Sequence, residues 1–76
     1  MYSTKEFQNR IACRCRKART LSGITQTDVA NATGYTQSQV SKFERGQMAS
    51  FYLLIYYIVA FKLSFTEVCR DGENES

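Results

Sequence analysis

The placing of glycines and hydroxyl residues constrains the fold of this chain more than any other feature. Four glycines, at positions 23, 34, 46 and 72, follow stretches whose apolar residues have helical spacing, and glycine often ends a helix. A Ser or Thr stands ahead of most stretches, where its side chain can cap the first turn. The pattern predicts an all-α fold of five helices. The predicted helices cover residues 4–22, 25–33, 36–45, 50–62 and 64–70.

Capping boxes support these helix starts. In a capping box, a Ser or Thr and a Glu or Gln three residues later each bond the other's backbone N–H. Three such pairs occur, with a close variant at Thr25 and Asp28, and Ser50 is a plausible single cap. The pairs are Ser3 with Glu6, Thr36 with Gln39 and Ser64 with Glu67. No Asn-Gly turn separates alternating runs, so hairpins are disfavoured.

Residues 51–61, FYLLIYYIVAF, form an unbroken apolar run. A helix needs about 20 apolar residues to cross a bilayer, so the run is too short to span one. Residues 1–70 are predicted to form a single domain. Four residues of the run recur at steps of three and four and are predicted to face the core of that domain. These four are Phe51, Leu54, Ile58 and Phe61. Residues 71–76 are expected to be a disordered polar tail.

A second stripe of the same run remains outside that predicted core face. An exposed apolar stripe on a small domain usually marks an association surface, and tyrosine suits such surfaces because it buries area while keeping a polar tip. We therefore predict a homodimer interface on this stripe, while tyrosines lying flat on a monomer remain an alternative. The interface residues are Tyr52, Leu53, Tyr56, Val59 and Leu63.

Composition narrows the class of protein. Residues 1–45 carry eight Lys or Arg against three acids, a net charge of +5, whereas residues 46–76 carry −2. The basic half suits a polyanion. The chain contains no histidine, so we expect no catalytic residues, no metal site and no cofactor. The spacing of Cys13, Cys15 and Cys69 does not indicate a disulfide framework. The absence of a signal sequence favours a cytoplasmic protein.

Residues 25–46, TQTDVANATGYTQSQVSKFERG, are predicted to form two short helices joined by a three-residue turn. Gly34 can take a positive φ, which lets the second helix cross the first steeply. Ala30 is small at the expected contact between the helices. The predicted shared core consists of Val29, Tyr35, Val40 and Phe43.

This segment resembles the helix-turn-helix of the Cro/C1-type (XRE) family, whose fold is the lambda-repressor-like DNA-binding domain. The resemblance covers roughly residues 7–70 and includes Thr25-Gln26 and the Glu44-Arg45-Gly46 that follows the third helix. It implies a prokaryotic or phage transcriptional repressor, associated with the nucleoid. The expected homodimer would bind a pseudo-palindromic operator, with helix 36–45 in the major groove. The alternative is an antitoxin or adaptor of the same fold, whose main partner is another protein.

The resemblance also assigns roles to polar residues. Gln37, Ser38 and Lys42 occupy the family's base-reading positions, and Gln26 occupies its phosphate-contacting position. Gln37 can pair with adenine N6 and N7, and Lys42 can donate to guanine. Second-rank candidates, mostly for phosphate, are Thr36, Gln39, Ser41 and Arg45. A polar helix face is otherwise simply solvated.

Arg19 and Glu44 are expected, by the same resemblance, to form a structural ion pair between the first and third helices. The chain departs from the family pattern where Ala49 replaces a frequent Pro and Lys62 a frequent helix-ending Gly.

Overall fold

The computed structural model describes residues 4–64, and all regular structure within that range is helical. The elements are α1 (Thr4–Leu21), α2 (Gln26–Thr33), α3 (Gln37–Glu44) and α4 (Phe51–Ala60). The four predicted helices in this range are confirmed to within two residues at each end. The fifth predicted helix, beyond Ser64, and the polar tail lie outside the described residues. The capping boxes of Ser3 and Ser64 each need a residue outside that range.

Side-chain caps fix where the inner helices begin. Thr25 Oγ1 accepts a hydrogen bond from the backbone N–H of Asp28 at 3.0 Å, and Asp28 Oδ2 accepts one from the N–H of Thr25 at 3.1 Å. Thr36 and Gln39 form the same reciprocal pair ahead of α3. The Ser50 hydroxyl accepts from the N–H of Leu53 at 3.1 Å, so α4 starts at the predicted cap.

The turn between α2 and α3 depends on Gly34. Its φ is +83°, in the left-handed region, and its N–H donates to the carbonyl of Ala30 at 2.9 Å. This conformation ends α2 and turns the chain toward α3 within two further residues. Val29 and Val40 are both fully buried, which shows that the two helices pack their apolar sides together.

The hydrophobic core joins all four helices. Its buried members are Cys15, Val29, Ala30, Val40, Phe43, Leu53 and Tyr57. Cys15 lies in this core as a small apolar side chain, and burial, more than the nearby Glu44 carboxylate, raises the pKa of its thiol to about 12. Tyr35 packs against the core from the turn and is only half-buried.

The predicted core face of α4 is correct only in part. Leu54 and Phe61 pack against the core but are partly buried, and the prediction is wrong for Phe51. Leu53 and Tyr57, four residues apart, are fully buried, whereas Phe51 is 72% exposed. Phe51 and Leu54 also line an apolar groove of about 270 Å³ beside α1. The helix is therefore rotated about its own axis relative to the prediction. Tyr57 can face the interior because its hydroxyl donates a hydrogen bond to Glu44 on α3.

The N-terminal half of α1 packs closely against the end of α3. Lys5 Nζ donates to the carbonyl of Gly46 at 2.8 Å. Gly46 has a φ of +74°, and a Cβ placed on it would lie 2.0 Å from Oδ1 of Asn9. The absence of a side chain at position 46 thus lets α1 approach the chain just after α3.

Candidate nucleic-acid interface

Helix α3 separates its side chains into two faces. Val40, Phe43 and Glu44 are buried against the rest of the domain. Gln37, Ser38 and Lys42, the predicted base-reading residues, are all exposed. These three lie on one outward side of a helix whose other side is fixed by the core. The helix therefore offers one amide, one hydroxyl and one ammonium group to a ligand, on a rigid support.

The second-rank candidates differ in whether their side chains are available to a ligand. Thr36 and Gln39 are exposed, yet their side chains are already bonded to each other's backbone N–H in the capping box. Ser41 is half-buried, and its carbonyl accepts from Nε of the exposed Arg45 at 3.4 Å. Arg45 is the one charged residue among these four, and it is exposed.

Gln26 and Gln37 contact each other directly. Nε2 of Gln37 donates to Oε1 of Gln26 at 2.5 Å, across the turn between α2 and α3. Gln26 is half-buried at the first turn of α2. The predicted phosphate-contacting residue and the predicted adenine-reading residue are thus neighbours in space.

Arg19 and Glu44 form an ion pair between α1 and α3. Arg19 Nε lies 2.6 Å from Glu44 Oε2, and Nη2 lies 3.0 Å from Oε1, so the guanidinium holds the carboxylate through two parallel bonds. The side chains are 13% and 0% exposed. Arg19 Nη1 also donates to the carbonyl of Ile24 at 2.7 Å. Its donors therefore point inward, away from any ligand.

Glu44 has two further partners that no sequence pattern indicated. The hydroxyl of Tyr57 donates to Oε2, and Nε2 of Gln26 donates to Oε1 at 3.0 Å. Burial raises the pKa of Glu44, but hydrogen bonds from Arg19, Tyr57 and Gln26 outweigh it and leave the pKa below its ordinary value. Glu44 is therefore an ionised carboxylate with a donor from each of three other helices.

Tyr35 links the turn to the start of α4. Its hydroxyl lies 2.9 Å from that of Ser50, and its ring stacks on Tyr52 with centroids 5.8 Å apart and planes inclined by 13°. The contact holds the first turn of α4 beside the helix-turn-helix unit. It also uses one side of Tyr52, which the sequence had assigned to a dimer interface.

The residues predicted at the dimer interface do not all lie on the surface. Tyr52 is 55% exposed and Val59 is 72% exposed, and they are seven residues apart on α4. Tyr56 and Leu63 are half-buried. The assignment of Leu53 is wrong, because this residue is fully buried in the core of one chain and cannot reach a partner.

Two short helices joined by a tight glycine turn, with a polar outward face on the second helix, define a helix-turn-helix DNA-binding domain. The chain belongs to the Cro/C1-type (XRE) helix-turn-helix family, whose model, described as "Helix-turn-helix", matches residues 16–68. The family resemblance predicted from the sequence is confirmed. Searches of curated proteins and of solved structures found no match.

As a member of this family, the chain is a DNA-binding transcription regulator. The family is not typically enzymatic. None of the helices in residues 4–64 has the length and apolar character needed to cross a membrane.

Proposed function

We propose that the chain is a homodimeric transcriptional repressor, acting in the cytoplasm, that binds a pseudo-palindromic operator with α3 in the major groove. The observation that carries the proposal is the exposure of Gln37, Ser38 and Lys42 on the one side of α3 that the core leaves open. A repressor of this kind acts by occupying promoter sequence.

The three exposed side chains match the chemistry of base edges. A glutamine amide can pair with N6 and N7 of adenine, and a lysine ammonium can donate to O6 or N7 of guanine. Ser38 is short and reaches either a base edge or a phosphate. Residues at the start of a recognition helix point at the bases in this docking, and Gln37 and Ser38 are the first two residues of α3.

Phosphate contacts would surround this base-reading face. Gln26 at the start of α2 and Arg45 after α3 flank it. Second-rank candidates for phosphate contacts are Thr36, Gln39 and Ser41. Residues 1–45 carry a net charge of +5, which attracts the duplex without regard to sequence. Binding should therefore weaken steeply as salt is raised, because phosphate contacts release counterions.

The dimer surface of the proposal is the α4 face formed by Tyr52, Tyr56 and Val59, with Leu63 beyond its end. Tyr52 and Val59 are two helical turns apart and are among the most exposed large apolar residues of the described chain. A two-fold contact through this face would present two copies of α3 to one side of a duplex. Successive major grooves are ~34 Å apart, which sets the spacing of the operator half-sites.

A selection from a random pool of duplexes tests the DNA-binding part. The wild-type chain should enrich a two-fold related motif, whereas Gln37→Ala combined with Lys42→Ala should bind duplexes with little sequence preference. Gln8→Ala combined with Lys17→Ala is the matched control, because it removes the same residue types from α1. An unchanged motif for the α3 variant would contradict the docking of α3.

Sedimentation tests the dimer. The wild-type chain should sediment as a dimer at micromolar concentration, and Tyr52→Glu combined with Val59→Glu should give a folded monomer with much weaker operator binding. Leu21→Glu is the control, since Leu21 is 80% exposed on α1 and outside the proposed surface. A dimer that persists in the α4 variant would place the interface elsewhere. A wild-type monomer that associates only with a co-expressed protein would favour an antitoxin or adaptor.

A further inference from the structure

We propose that Lys5, in the first turn of α1, contacts a DNA phosphate together with Arg45, at the end of α3 opposite to Gln26. The inference rests on the proposed function, in which α3 lies in the major groove. Lys5 belongs to neither helix of the helix-turn-helix unit, and no sequence pattern assigned it a role. The contact extends the DNA-binding surface from α2 and α3 to the start of α1.

The ammonium group of Lys5 lies at the C-terminal end of α3. Its Nζ donates to the carbonyl of Gly46 at 2.8 Å, although the two residues are 41 positions apart in the chain. Gly46 allows this approach, because a Cβ on it would collide with the side chain of Asn9, one turn further along α1. Lys5 is therefore held beside the residues that follow α3.

Backbone hydrogen bonds fix the position of the Gly46 carbonyl. The N–H of Gly46 donates to the carbonyl of Phe43 at 3.1 Å, and the N–H of Gln47 donates to that of Lys42 at 2.8 Å. With Gly46 at a φ of +74°, these two bonds form a Schellman motif, which ends α3 sharply. The acceptor of the Lys5 ammonium therefore belongs to a hydrogen-bonded turn.

The Lys5 ammonium keeps donors for a ligand. An ammonium group has three N–H donors, and one of them is directed to Gly46. Lys5 is exposed, so the remaining donors are open to solvent. The contact with Gly46 also holds the charge in place, because a cation is stabilised at the C-terminal end of a helix. A phosphate of the docked duplex thus meets a cation whose position is already restricted.

Positive charge dominates the surface at this end of α3. Arg45 is exposed and follows α3 directly, and Lys42 is exposed in the last turn of α3. The one acid of α3, Glu44, is buried, and its charge is balanced by Arg19 in the interior. Three exposed cations therefore lie at this end of α3 without an exposed acid of α3 to offset them. They are Lys5, Lys42 and Arg45.

The length of α3 matches the width of the major groove. Eight residues of α-helix are about 12 Å long, and the major groove of B-DNA is about 12 Å wide. Gln26 contacts Gln37 at the first turn of α3, whereas Lys5 and Arg45 lie at its other end. The recognition helix would thus have a phosphate contact near each of its ends, and phosphate contacts fix the register of a protein on a duplex.

Removal of the Lys5 charge should change how binding depends on salt but not which sequence is bound. A phosphate contact releases counterions and carries no base information. The slope of log affinity against log salt should therefore become shallower by about 0.9 for each copy of the chain on the duplex. For Lys5→Met, a fourfold rise in salt should weaken binding about 3.5-fold less per copy than for the wild type. The duplex motif selected from a random pool should be unchanged.

The experiment measures affinity for the selected duplex at about 50 to 200 mM salt. The proteins are the wild type, Lys5→Met, Lys5→Arg, which retains the charge, and Lys17→Met, which removes an exposed lysine from elsewhere on α1. Urea unfolding checks that each variant is folded. Lys5→Gln, which keeps an N–H donor for the Gly46 carbonyl, replaces Lys5→Met if that variant does not fold. A purely structural role of Lys5 would lower stability without changing the salt slope.

The outcomes separate the two proposals. A slope that becomes shallower in Lys5→Met, and is retained in Lys5→Arg and Lys17→Met, supports the phosphate contact. A wild-type slope in Lys5→Met overturns it, as does an equal change of slope in Lys5→Arg or Lys17→Met, or a changed motif for Lys5→Met. The proposed function stands in each of those cases. A wild-type chain with no sequence preference for any duplex overturns both proposals.

Discussion

The Tyr57 hydroxyl, on α4, donates a hydrogen bond to the Glu44 carboxylate at the end of α3, and both side chains are buried. This contact joins the helix that presents the proposed dimer surface to the helix that presents the proposed base-reading surface. It also explains how a tyrosine can occupy the centre of the core, since its polar atom is satisfied there.

Removal of that hydroxyl should destabilise the domain without opening a cavity. Tyr57→Phe leaves a buried carboxylate short of one donor, and hydrogen bonds to charged groups contribute about 1.5–3 kcal/mol. We expect the free energy of unfolding in urea to fall by about that amount. Tyr56→Phe is the control, because Tyr56 is a half-buried neighbour. Equal losses in the two variants would contradict the role of the Tyr57–Glu44 bond.

Loss of the Arg19 guanidinium should lower the free energy of unfolding by more than loss of the Tyr57 hydroxyl does. Arg19→Met keeps most of the aliphatic stem but leaves the fully buried Glu44 without its counter-charge. Breaking one side of a buried pair typically destabilises by about 3–5 kcal/mol, a large part of the stability of so small a domain. Arg16→Met, an exposed change on the same helix, should alter the midpoint of urea unfolding little. A small effect of Arg19→Met would show that the pair contributes little.

The lowered pKa of Glu44 predicts acid sensitivity. The folded-state pKa lies below the ordinary value of 4.5, because the three hydrogen-bond donors together outweigh the effect of burial. The ionised carboxylate therefore contributes stability above about pH 4.5, and this contribution is lost as the pH falls through the folded-state pKa. Asp28 adds a change of the same sign, since the backbone N–H of Thr25 lowers its pKa.

Urea unfolding measured from pH 7 to pH 3 checks this dependence. The wild-type chain should lose stability progressively below about pH 4.5. Glu44→Gln should be less stable at pH 7 and should lose less on acidification, because the titrating group is gone. Parallel pH curves for the two proteins would mean that Glu44 is not a source of the acid sensitivity.

Two glycines with similar backbone angles should respond differently to alanine. Both Gly34 and Gly46 have positive φ, at +83° and +74°, and a side chain there costs about 1 kcal/mol or more. A Cβ on Gly34 meets nothing within 4 Å, whereas one on Gly46 meets Asn9. Gly46→Ala should therefore lower the unfolding free energy more than Gly34→Ala does.

A double variant identifies the source of the difference. Asn9→Ala removes the side-chain oxygen that lies nearest, although the Cα of Asn9 would still be 3.1 Å from the new Cβ. In the Asn9→Ala background, Gly46→Ala should therefore lower the unfolding free energy less than it does in the wild-type chain. If thermal unfolding shows no such difference, backbone strain alone accounts for the loss at position 46.

The helix-turn-helix unit could be predicted because local signals mark each of its parts. The caps at Thr25 and Thr36, the glycine at 34 and the apolar spacing in α2 and α3 all act over a few residues. The same signals could not orient α4. Its residues are apolar on every side, so no polar stripe marks the outside, and the choice of Leu53 and Tyr57 as core residues depends on a distant partner.

The contacts of Gln26 were beyond sequence reasoning for a similar reason. The family position indicated a residue near the phosphates, and Gln26 does lie at the start of α2. Its bonds to Glu44 and Gln37 join positions 18 and 11 residues apart. Such contacts depend on how α2 and α3 cross, which no local pattern specifies.

The division of α3 into a buried side and an outward side has a consequence for redesign. Positions 38 and 42 can be randomised together without touching the interior, so a library at those two sites should yield folded proteins with many different targets. Position 37 is not independent in this way, since its partner at 26 must be varied with it. Successful changes of target through position 37 should therefore arise as pairs.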